Sequence, residues 1–497
     1  MARKFQNFID GAWMDAISGK TFENRNPANW DEVVGTFPKS GKDDVEVAIR
    51  AARRAFEEWR LVPAPKRGDI LKKVGDLMVE KKEELAKLMT REMGKVLAET
   101  RGDVQEGIDT AYYAASEGRR LFGHTVPSEL PNKFNMAMRV PIGVAGIITP
   151  WNFPMAIPTW KIFPALVCGN TVVFKPASDT PATATALVEI LAEAGIPAGV
   201  VNIVHGGGGE VGNAIVGHDE VDLVSFTGST MVGKKISEMA SATLKRVSLE
   251  LGGKNAQMVM PDANMELALE GVLWGAFGTT GQRCTATSRL LLHEKIHDAF
   301  VAELVKRVEA LKLGDGLKPG IDVGPCVNES QQQTVQSYVD IGLKQGAKVV
   351  AGGKIPKDGD LAKGWFYRPT VFTGVQPDHR IAKEEIFGPV LSVIKFRTLE
   401  EGIRILNDTI YGLSSSLYTT NINDAYTAIR DIKAGITYIN APTIGAEAHM
   451  PFGGVKQTGN GHREGGWTVY DFFSEWKTVY VDYSGGLQRA QIDNYKD

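Results

Sequence analysis

Strand-sized apolar runs alternate with helical segments from residue 144 onward, and this rhythm constrains the fold more than any other feature of the chain. Runs at 144–149, 171–175, 200–204 and 221–226 read as strands. Segments 155–168 and 180–194 read as helices, the second stopped by Gly195. Such alternation predicts a parallel sheet with helices on both faces. Sheets of this kind take ligands beyond the carboxyl ends of their strands. A second alternating region runs from about 255 to 450. Ahead of both, 44–60 and 67–93 read as amphipathic helices. Ile70, Leu71, Val74, Leu77 and Met78 recur at helical spacing, and Gly94 closes the second segment.

The 497 residues suffice for two or three domains. The 56 basic and 59 acidic residues leave a net charge of −3, so no basic surplus points to nucleic acid or an anionic membrane. The run Met1-Ala2-Arg3-Lys4-Phe5-Gln6-Asn7 has no apolar signal core, and apolar stretches such as 143–148 fall well short of a membrane span. Three cysteines are an odd, sparse count that fits a reducing compartment, so a cytoplasmic location is expected. Cys168 follows Ala165-Leu166-Val167 and reads as core; Cys326 follows Gly324-Pro325 in an expected loop.

Cys284, in Gly281-Gln282-Arg283-Cys284-Thr285-Ala286, has the setting of a nucleophile. It lies 34 positions after Glu250, in Leu249-Glu250-Leu251-Gly252-Gly253-Lys254. A thiol attacks a carbonyl, and a carboxylate takes a proton from the thiol or from water. Read alone, Glu250 is equally a surface carboxylate beside a Gly-Gly turn. Three further motifs flank the pair: Pro150-Trp151-Asn152-Phe153-Pro154, Phe226-Thr227-Gly228-Ser229 and Glu385-Ile386-Phe387-Gly388-Pro389.

Together these motifs, in this order, resemble the aldehyde dehydrogenase superfamily nearly end to end. The resemblance implies an α/β fold with three parts. A Rossmann-type coenzyme domain would comprise 1–121 and 142–253, and an α/β catalytic domain 254–465. A small β oligomerisation flap would come from 122–141 and 466–497, with a strand near 478–481. It further implies a homodimer or homotetramer, a small-molecule aldehyde substrate, and NAD or NADP as cofactor. In the implied chemistry Cys284 adds to the aldehyde, and Asn152 with the Cys284 backbone N–H holds the oxyanion of the thiohemiacetal. Oxidation leaves a thioester, and Glu250 activates water to release the free acid. Without the family, Asn152 reads as a turn residue before Phe-Pro. Lys161 matches a lysine near the family's active site. The branch resembling methylmalonate-semialdehyde dehydrogenase passes its acyl group to coenzyme A and lacks this glutamate, so Glu250 favours release as acid.

Phe226-Thr227-Gly228-Ser229-Thr230-Met231-Val232-Gly233 matches the family's pyrophosphate loop, through Phe226, Gly228, Ser229 and Val232. A strand ends there and a helix begins, whose free N–H groups suit an anion. The resemblance also assigns Thr149, Pro150, Trp151 and Leu251 to the cofactor, Lys175 to the adenosine ribose, and Glu385 and Phe387 to the nicotinamide ribose and ring. The bare readings are a solvated lysine, a helix-start Glu and a core Phe. Ser178 stands where NAD-preferring members carry a glutamate that repels a 2′-phosphate. Asp179 beside it can restore negative charge, so NAD and NADP both stay open. Gly207-Gly208-Gly209-Glu210-Val211-Gly212 formally matches G-x-G-x-x-G, but it follows two earlier strands and reads as a flexible turn.

His293-Glu294-Lys295-Ile296-His297 matches the zinc-protease motif. Its first histidine ends an expected strand, so one helix face does not hold both, and no metal is expected. A non-catalytic homologue is the other rival, disfavoured because Cys284 and Glu250 are both present. For the substrate, Arg283-Cys284-Thr285-Ala286-Thr287-Ser288-Arg289 resembles the 2,5-dioxovalerate (α-ketoglutarate semialdehyde) dehydrogenases. Gly445-Ala446-Glu447 and 293–298 resemble the aminoadipic-semialdehyde dehydrogenases. A small carboxylated semialdehyde is expected, with Trp160, Arg283, Thr285, Glu447 and Phe452 as substrate contacts. Glu447 would hold an ammonium or cap a turn; Arg283 would pair with a distal carboxylate or face solvent. General aliphatic or aromatic aldehydes are the alternative, since Trp160 and Phe452 equally line an apolar funnel.

Overall fold

The computed structural model describes residues 3–489; residues 1–2 and 490–497, at the ends of the expected first and last segments, lie outside the described residues. Its first large sheet has the strand order Arg246–Glu250, Leu223–Thr227, Val144–Ile148, Thr171–Lys175, Val201–Ile203, Asn7–Ile9, Ala12–Met14. The first five strands are parallel. The last two form an antiparallel hairpin that the alternating pattern did not reveal. Val144–Ile148 and Thr171–Lys175 are buried at every position, as strands covered on both faces must be. Ala145 and Ile147 join one core with helix Ala156–Cys168, while Val144 and Ile148 join another with helix Lys42–Trp59. That division follows the alternation of side chains along a strand. Val144–Ile148 is also where the strand order reverses, so the crevice beyond its carboxyl end is a topological switch point.

Two local expectations change. Segment 67–93 is two helices, Ala64–Glu80 and Lys82–Met93, separated at Lys81 (φ −96°, ψ 6°). Met78, Leu85 and Met89 all enter one core across the break, so apolar spacing alone could not show it. Gly94, at φ 91°, closes the second helix in the left-handed conformation that glycine adopts without strain. The glycine run at 207–212 is not a loose turn: Gly208–Gly212 forms one turn of π-helix leading into Asn213–Gly217. Val211 anchors it by packing with Ile148 and Ile215.

The second sheet has the order Lys348–Ala351, Thr370–Thr373, Val390–Phe396, Thr287–His293, Asn255–Val259, Ser414–Tyr418, Ile436–Ile439. All neighbours are parallel except the first pair. The chain leaves the first sheet at Glu250 and enters the second at Asn255, through Leu251-Gly252-Gly253-Lys254. The carboxyl edge of one sheet is thereby joined directly to the amino edge of the other. A separate antiparallel sheet joins His124–Pro127, Lys133–Pro141 and Ser474–Asp482, so the strand expected near 478–481 is longer than its sequence suggested. Arg3–Lys4, Asn29–Pro38 and Thr21–Asn26 form a small fourth sheet. Among the described residues no helix is long and apolar enough to cross a membrane.

Candidate active site

Two cavities meet at Cys284. The first, of about 340 Å³, is lined by Trp160, Glu250, Arg283, Thr285 and Phe452 among others. The second, of about 230 Å³, is lined by Pro150, Trp151, Asn152, Gly228, Ser229 and Glu385 among others. Cys284, Ile157, Thr227 and Leu251 line both. The thiol therefore stands between an apolar funnel on one side and a loop-lined crevice at the sheet's switch point on the other.

Cys284 precedes strand Thr287–His293, and its carbonyl accepts from Asn255 Nδ2 at 2.7 Å. Burial raises its pKa above the usual thiol value, and the charges of Glu385 and Glu250 raise it further. The backbone N–H groups of Thr285 and of Cys284 itself act the other way. Asn152, buried after strand Val144–Ile148, donates from Nδ2 to the carbonyl of Gln282 at 3.1 Å. An amide carries two such hydrogens, so one remains to point elsewhere.

Glu250 ends strand Arg246–Glu250 fully buried, and neither carboxyl oxygen has a hydrogen-bond partner. Burial, then the neighbouring Glu464, pushes its pKa well above the ordinary carboxylate value; Lys161 and Arg463 oppose the rise. Lys161 lines neither cavity. It is buried behind them, donating to Ser225 Oγ at 2.9 Å and to the Glu464 carboxylate. Glu464 was not foreseen. It lies in the glycine-rich run Gly459–Gly466 and is brought in by a bridge between Phe452 and Glu464. A β-carbon at Gly453 would collide with the Glu250 carboxyl, so the strap carrying Phe452 presses directly against it. Nothing local in the sequence marks Glu464, because its role depends on that fold-back.

In the second cavity, Ser229 caps helix Thr230–Ser241, and Gly228 donates to the Glu250 carbonyl at 3.1 Å. A β-carbon at Gly228 would strike the Phe226 ring. Thr227 Oγ1 is buried without a partner. Glu385 Oε1 accepts from the Gly253 N–H at 2.9 Å, and burial raises its pKa to about 7. It follows helix Arg380–Lys383 and so is not a helix-start residue. Phe387 has φ 57°, an unusual left-handed value for a bulky residue. Its carbonyl accepts from Gln331 Nε2 at 2.8 Å, and its ring meets Trp151 edge-on at 5.3 Å. Gln331, which lines the cavity, was also missed.

Thr149, Lys175, Ser178, Phe226 and Val232 do not line this cavity. Thr149 is buried, donating its N–H to the Lys175 carbonyl; Val232 is exposed on the first turn of its helix. Lys175 is buried at the end of strand Thr171–Lys175, not solvated as the bare reading had it. Its ammonium bonds only the Pro176 carbonyl, and burial lowers its pKa to about 8. Ser178 is exposed and bonds the Gly206 carbonyl; Asp179 instead accepts from Asn328 Nδ2 at 2.8 Å.

Around the first cavity, Trp160 stacks obliquely on Phe452 at 4.9 Å. Arg283 turns inward: Nε donates to Thr279 Oγ1 at 2.9 Å and Nη2 to Glu99 at 3.4 Å. Its guanidinium sits 5.5 Å from the Phe153 ring centre and 5.9 Å from that of Trp274. Glu447 is corrected: it is exposed, paired with His449 at 3.4 Å, and outside the cavity that Ile444, Gly445 and Ala446 line. The loop's turn points it outward, which sequence position could not convey. His293 ends a strand and His297 begins helix His297–Ala310, so the two share no helix face for a metal.

The second cavity fits a dinucleotide on its own chemistry. It offers an unbonded Thr227 hydroxyl, a glycine-lined approach and a capped helix start. A family model for the aldehyde dehydrogenase family matches residues 13–479. The chain is 44% identical to an α-ketoglutarate semialdehyde dehydrogenase of Haloferax volcanii, over 96% of this chain and 99% of that one. It is 43% identical to another from Bacillus subtilis, covering 96% and 98%. Among solved structures, betaine aldehyde dehydrogenase from Staphylococcus aureus in complex with NAD+ superposes with a TM-score of 0.95 at 37% identity, covering 97% of this chain and 95% of that one. The protein therefore belongs to the aldehyde dehydrogenase family and is an NAD(P)-dependent oxidoreductase that converts an aldehyde to the acid.

Proposed function

We propose that the substrate is a small semialdehyde bearing a distal carboxylate, of the 2,5-dioxovalerate type. The observation that carries this reading is Arg283, the one cationic side chain among the residues that line the cavity beside Cys284, held there by Thr279 and Glu99. The names of the Haloferax and Bacillus relatives support it. Cys284 is the nucleophile, and its thiolate adds to the aldehyde carbon. The second amide hydrogen of Asn152 and the Cys284 backbone N–H stabilise the resulting oxyanion; one such donor contributes about 2.7–4 kcal/mol. Bound NAD(P), held by the second cavity, supplies the hydride acceptor for the oxidation. Glu250 then takes a proton from water, which hydrolyses the thioester and releases the free acid. Burial, and then Glu464, hold the proton on Glu250, while Lys161, bonded to Glu464, opposes them. Burial raises both Cys284 and Glu250, so both act only after losing a proton that they hold tightly, and the rate rises with pH on the neutral-to-alkaline side.

A panel of 2,5-dioxovalerate, aminoadipic semialdehyde, succinic semialdehyde, pentanal and benzaldehyde tests the substrate. The carboxylated semialdehydes are expected to exceed pentanal in kcat/KM by roughly tenfold or more, about 1.4 kcal/mol of transition-state preference. Parity, or a win for pentanal or benzaldehyde, would remove the carboxylate anchor. An ammonium contact through Glu447 has no support, because that side chain lies outside the cavity.

Both NAD and NADP are expected to serve. Ser178 presents a hydroxyl instead of a carboxylate, and Asp179 is engaged with Asn328. Ser178→Glu is expected to shift the kcat/KM ratio towards NAD. Absence of NADP turnover at saturation in the unmodified enzyme would contradict this. The enzyme is further read as a cytoplasmic homodimer or homotetramer with a coenzyme part, a catalytic part and a flap divided as the resemblance implies. Three cysteines without disulfides support the compartment. The antiparallel sheet ending in exposed strand His124–Pro127 supports the assembly, since an edge of this kind favours a partner. Light scattering is expected to return a multiple of 54.0 kDa; a clean monomer would refute it.

A further inference from the structure

The lining of the substrate cavity also includes three carboxyl groups from one helix, Leu97–Glu117. Two are already bonded. Glu99 accepts from Arg283 Nη2 and, at 2.6 Å, from the Thr279 N–H. Asp103 accepts from Lys95 Nζ and from the Ala156 N–H, each at 2.8 Å, in a pair from which solvent is excluded. The third, Glu106, has no ion pair. Its Oε1 is sealed in the protein without a hydrogen-bond partner, while the side chain lines the cavity that also holds Cys284. A carboxylate with a sealed, unbonded oxygen is strongly disfavoured; the neutral acid is much less so. With its proton on the cavity side, such an acid becomes a hydrogen-bond donor, and a donor to an anion is the strong kind.

We propose that Glu106, as a neutral carboxylic acid, is a specificity-determining residue that donates a hydrogen bond to the distal carboxylate of the substrate, next to Arg283. This rests on the carboxylated-semialdehyde reading and deepens it. Arg283 brings the positive charge, and two of its donors are already used on Thr279 and Glu99. Glu106 completes the anion's shell without adding charge, so long as it stays protonated. The groups that bear on it are Asp103 and Asp109 from its own helix, Lys95 ahead of that helix, Arg283 from the Cys284 loop, and Tyr438 from strand Ile436–Ile439. Burial and Asp103 raise Glu106 to about 8, against the opposing pull of Lys95 and Arg283. Below that pH it donates. Above it, it becomes an anion facing an anion, and binding of the carboxylated substrate weakens.

The test measures kcat/KM for 2,5-dioxovalerate and for pentanal on the full-length enzyme with saturating cofactor, from pH 6.5 to pH 9.5. Taking the ratio of the two substrates cancels the ionisation of Cys284 and Glu250, which both share. The ratio is expected to fall roughly tenfold between pH 7 and pH 9, the loss of neutral form for a group titrating near 8, and to do so through KM. Glu106→Gln, which keeps a donor but cannot ionise, is expected to flatten that fall; Glu106→Ala is expected to lower the ratio already at pH 7. A ratio above one but independent of pH, or a fall that persists unchanged in Glu106→Gln, overturns the role of Glu106 and leaves the substrate reading standing. A ratio below one at pH 7 overturns the substrate reading itself. A ratio for 4-aminobutanal over pentanal that rises above pH 8, with none for 2,5-dioxovalerate that falls, would make Glu106 an ammonium acceptor and overturn the proposal.

Discussion

Cys284→Ser is expected to reduce aldehyde oxidation to background, a loss on the order of 10⁴-fold or more in kcat, which is the scale seen when a covalent nucleophile is removed from an acyl-transfer unit. The thiolate is the reactive species, and a serine hydroxyl of higher pKa in the same buried place has no comparable access to its anion. The neighbouring hydrogen bonds of this loop run through its backbone: the Cys284 carbonyl accepts from Asn255, and Asn152 bonds the carbonyl of Gln282. The oxygen-for-sulfur exchange leaves those bonds in place. Thermal unfolding and cofactor binding, followed by fluorescence quenching, are therefore expected to match the parent enzyme. Turnover within a factor of ten of the parent would remove Cys284 from the mechanism. The other two cysteines offer no substitute. Cys168 and Cys326 are buried outside both cavities at Cys284, and burial raises each thiol to about 12.

Glu250→Gln carries the second largest effect. If Glu250 is the base for thioester hydrolysis, steady-state turnover falls about 10²–10⁴-fold. Because the defect comes after oxidation, stopped-flow traces are expected to show a burst of reduced cofactor, one equivalent per active site, followed by slow turnover. The replacement is close to isosteric, and neither Glu250 oxygen makes a hydrogen bond that the amide would break. A collapsed fold is thus not the expected cause of the loss. A slow first turnover without a burst would instead assign Glu250 to activation of the Cys284 thiol. An unchanged rate would exclude it from both steps.

The chain's alternating apolar rhythm was enough to place four of the five parallel strands of the first sheet within two residues, while it marked the second sheet only as a region. Val144–Ile148, Thr171–Lys175 and Val201–Ile203 are short and apolar, and turn residues bound them, so local composition carries the signal. The edge hairpin Asn7–Ile9 and Ala12–Met14 escaped because polar residues and glycine flank both strands, whereas Val201–Ile203 is extended by Val200 and Val204 into a longer apolar run. The break at Lys81 escaped because both helices bury apolar residues in the same core. Candidate catalytic residues were legible for a different reason. Cys284, Glu250 and Asn152 sit in compact motifs whose residue types suit the chemistry, and family resemblance joined motifs that lie far apart in the chain.

By itself, the sequence determined the α/β class, the sheet-forming runs and the short motifs that end at strand edges, since each depends on residues within a turn or a strand of one another. Only the tertiary structure decided which charges meet. Glu464 reaches Lys161 across 303 positions, and Arg283 reaches Glu99 across 184. Glu106 is left unpaired among neighbours that were matched by folding. Glu447 turns outward although its own loop borders the cavity. Which side chains pair and which are left buried alone is decided in three dimensions, and for Glu106 that burial raises the carboxyl's pKa.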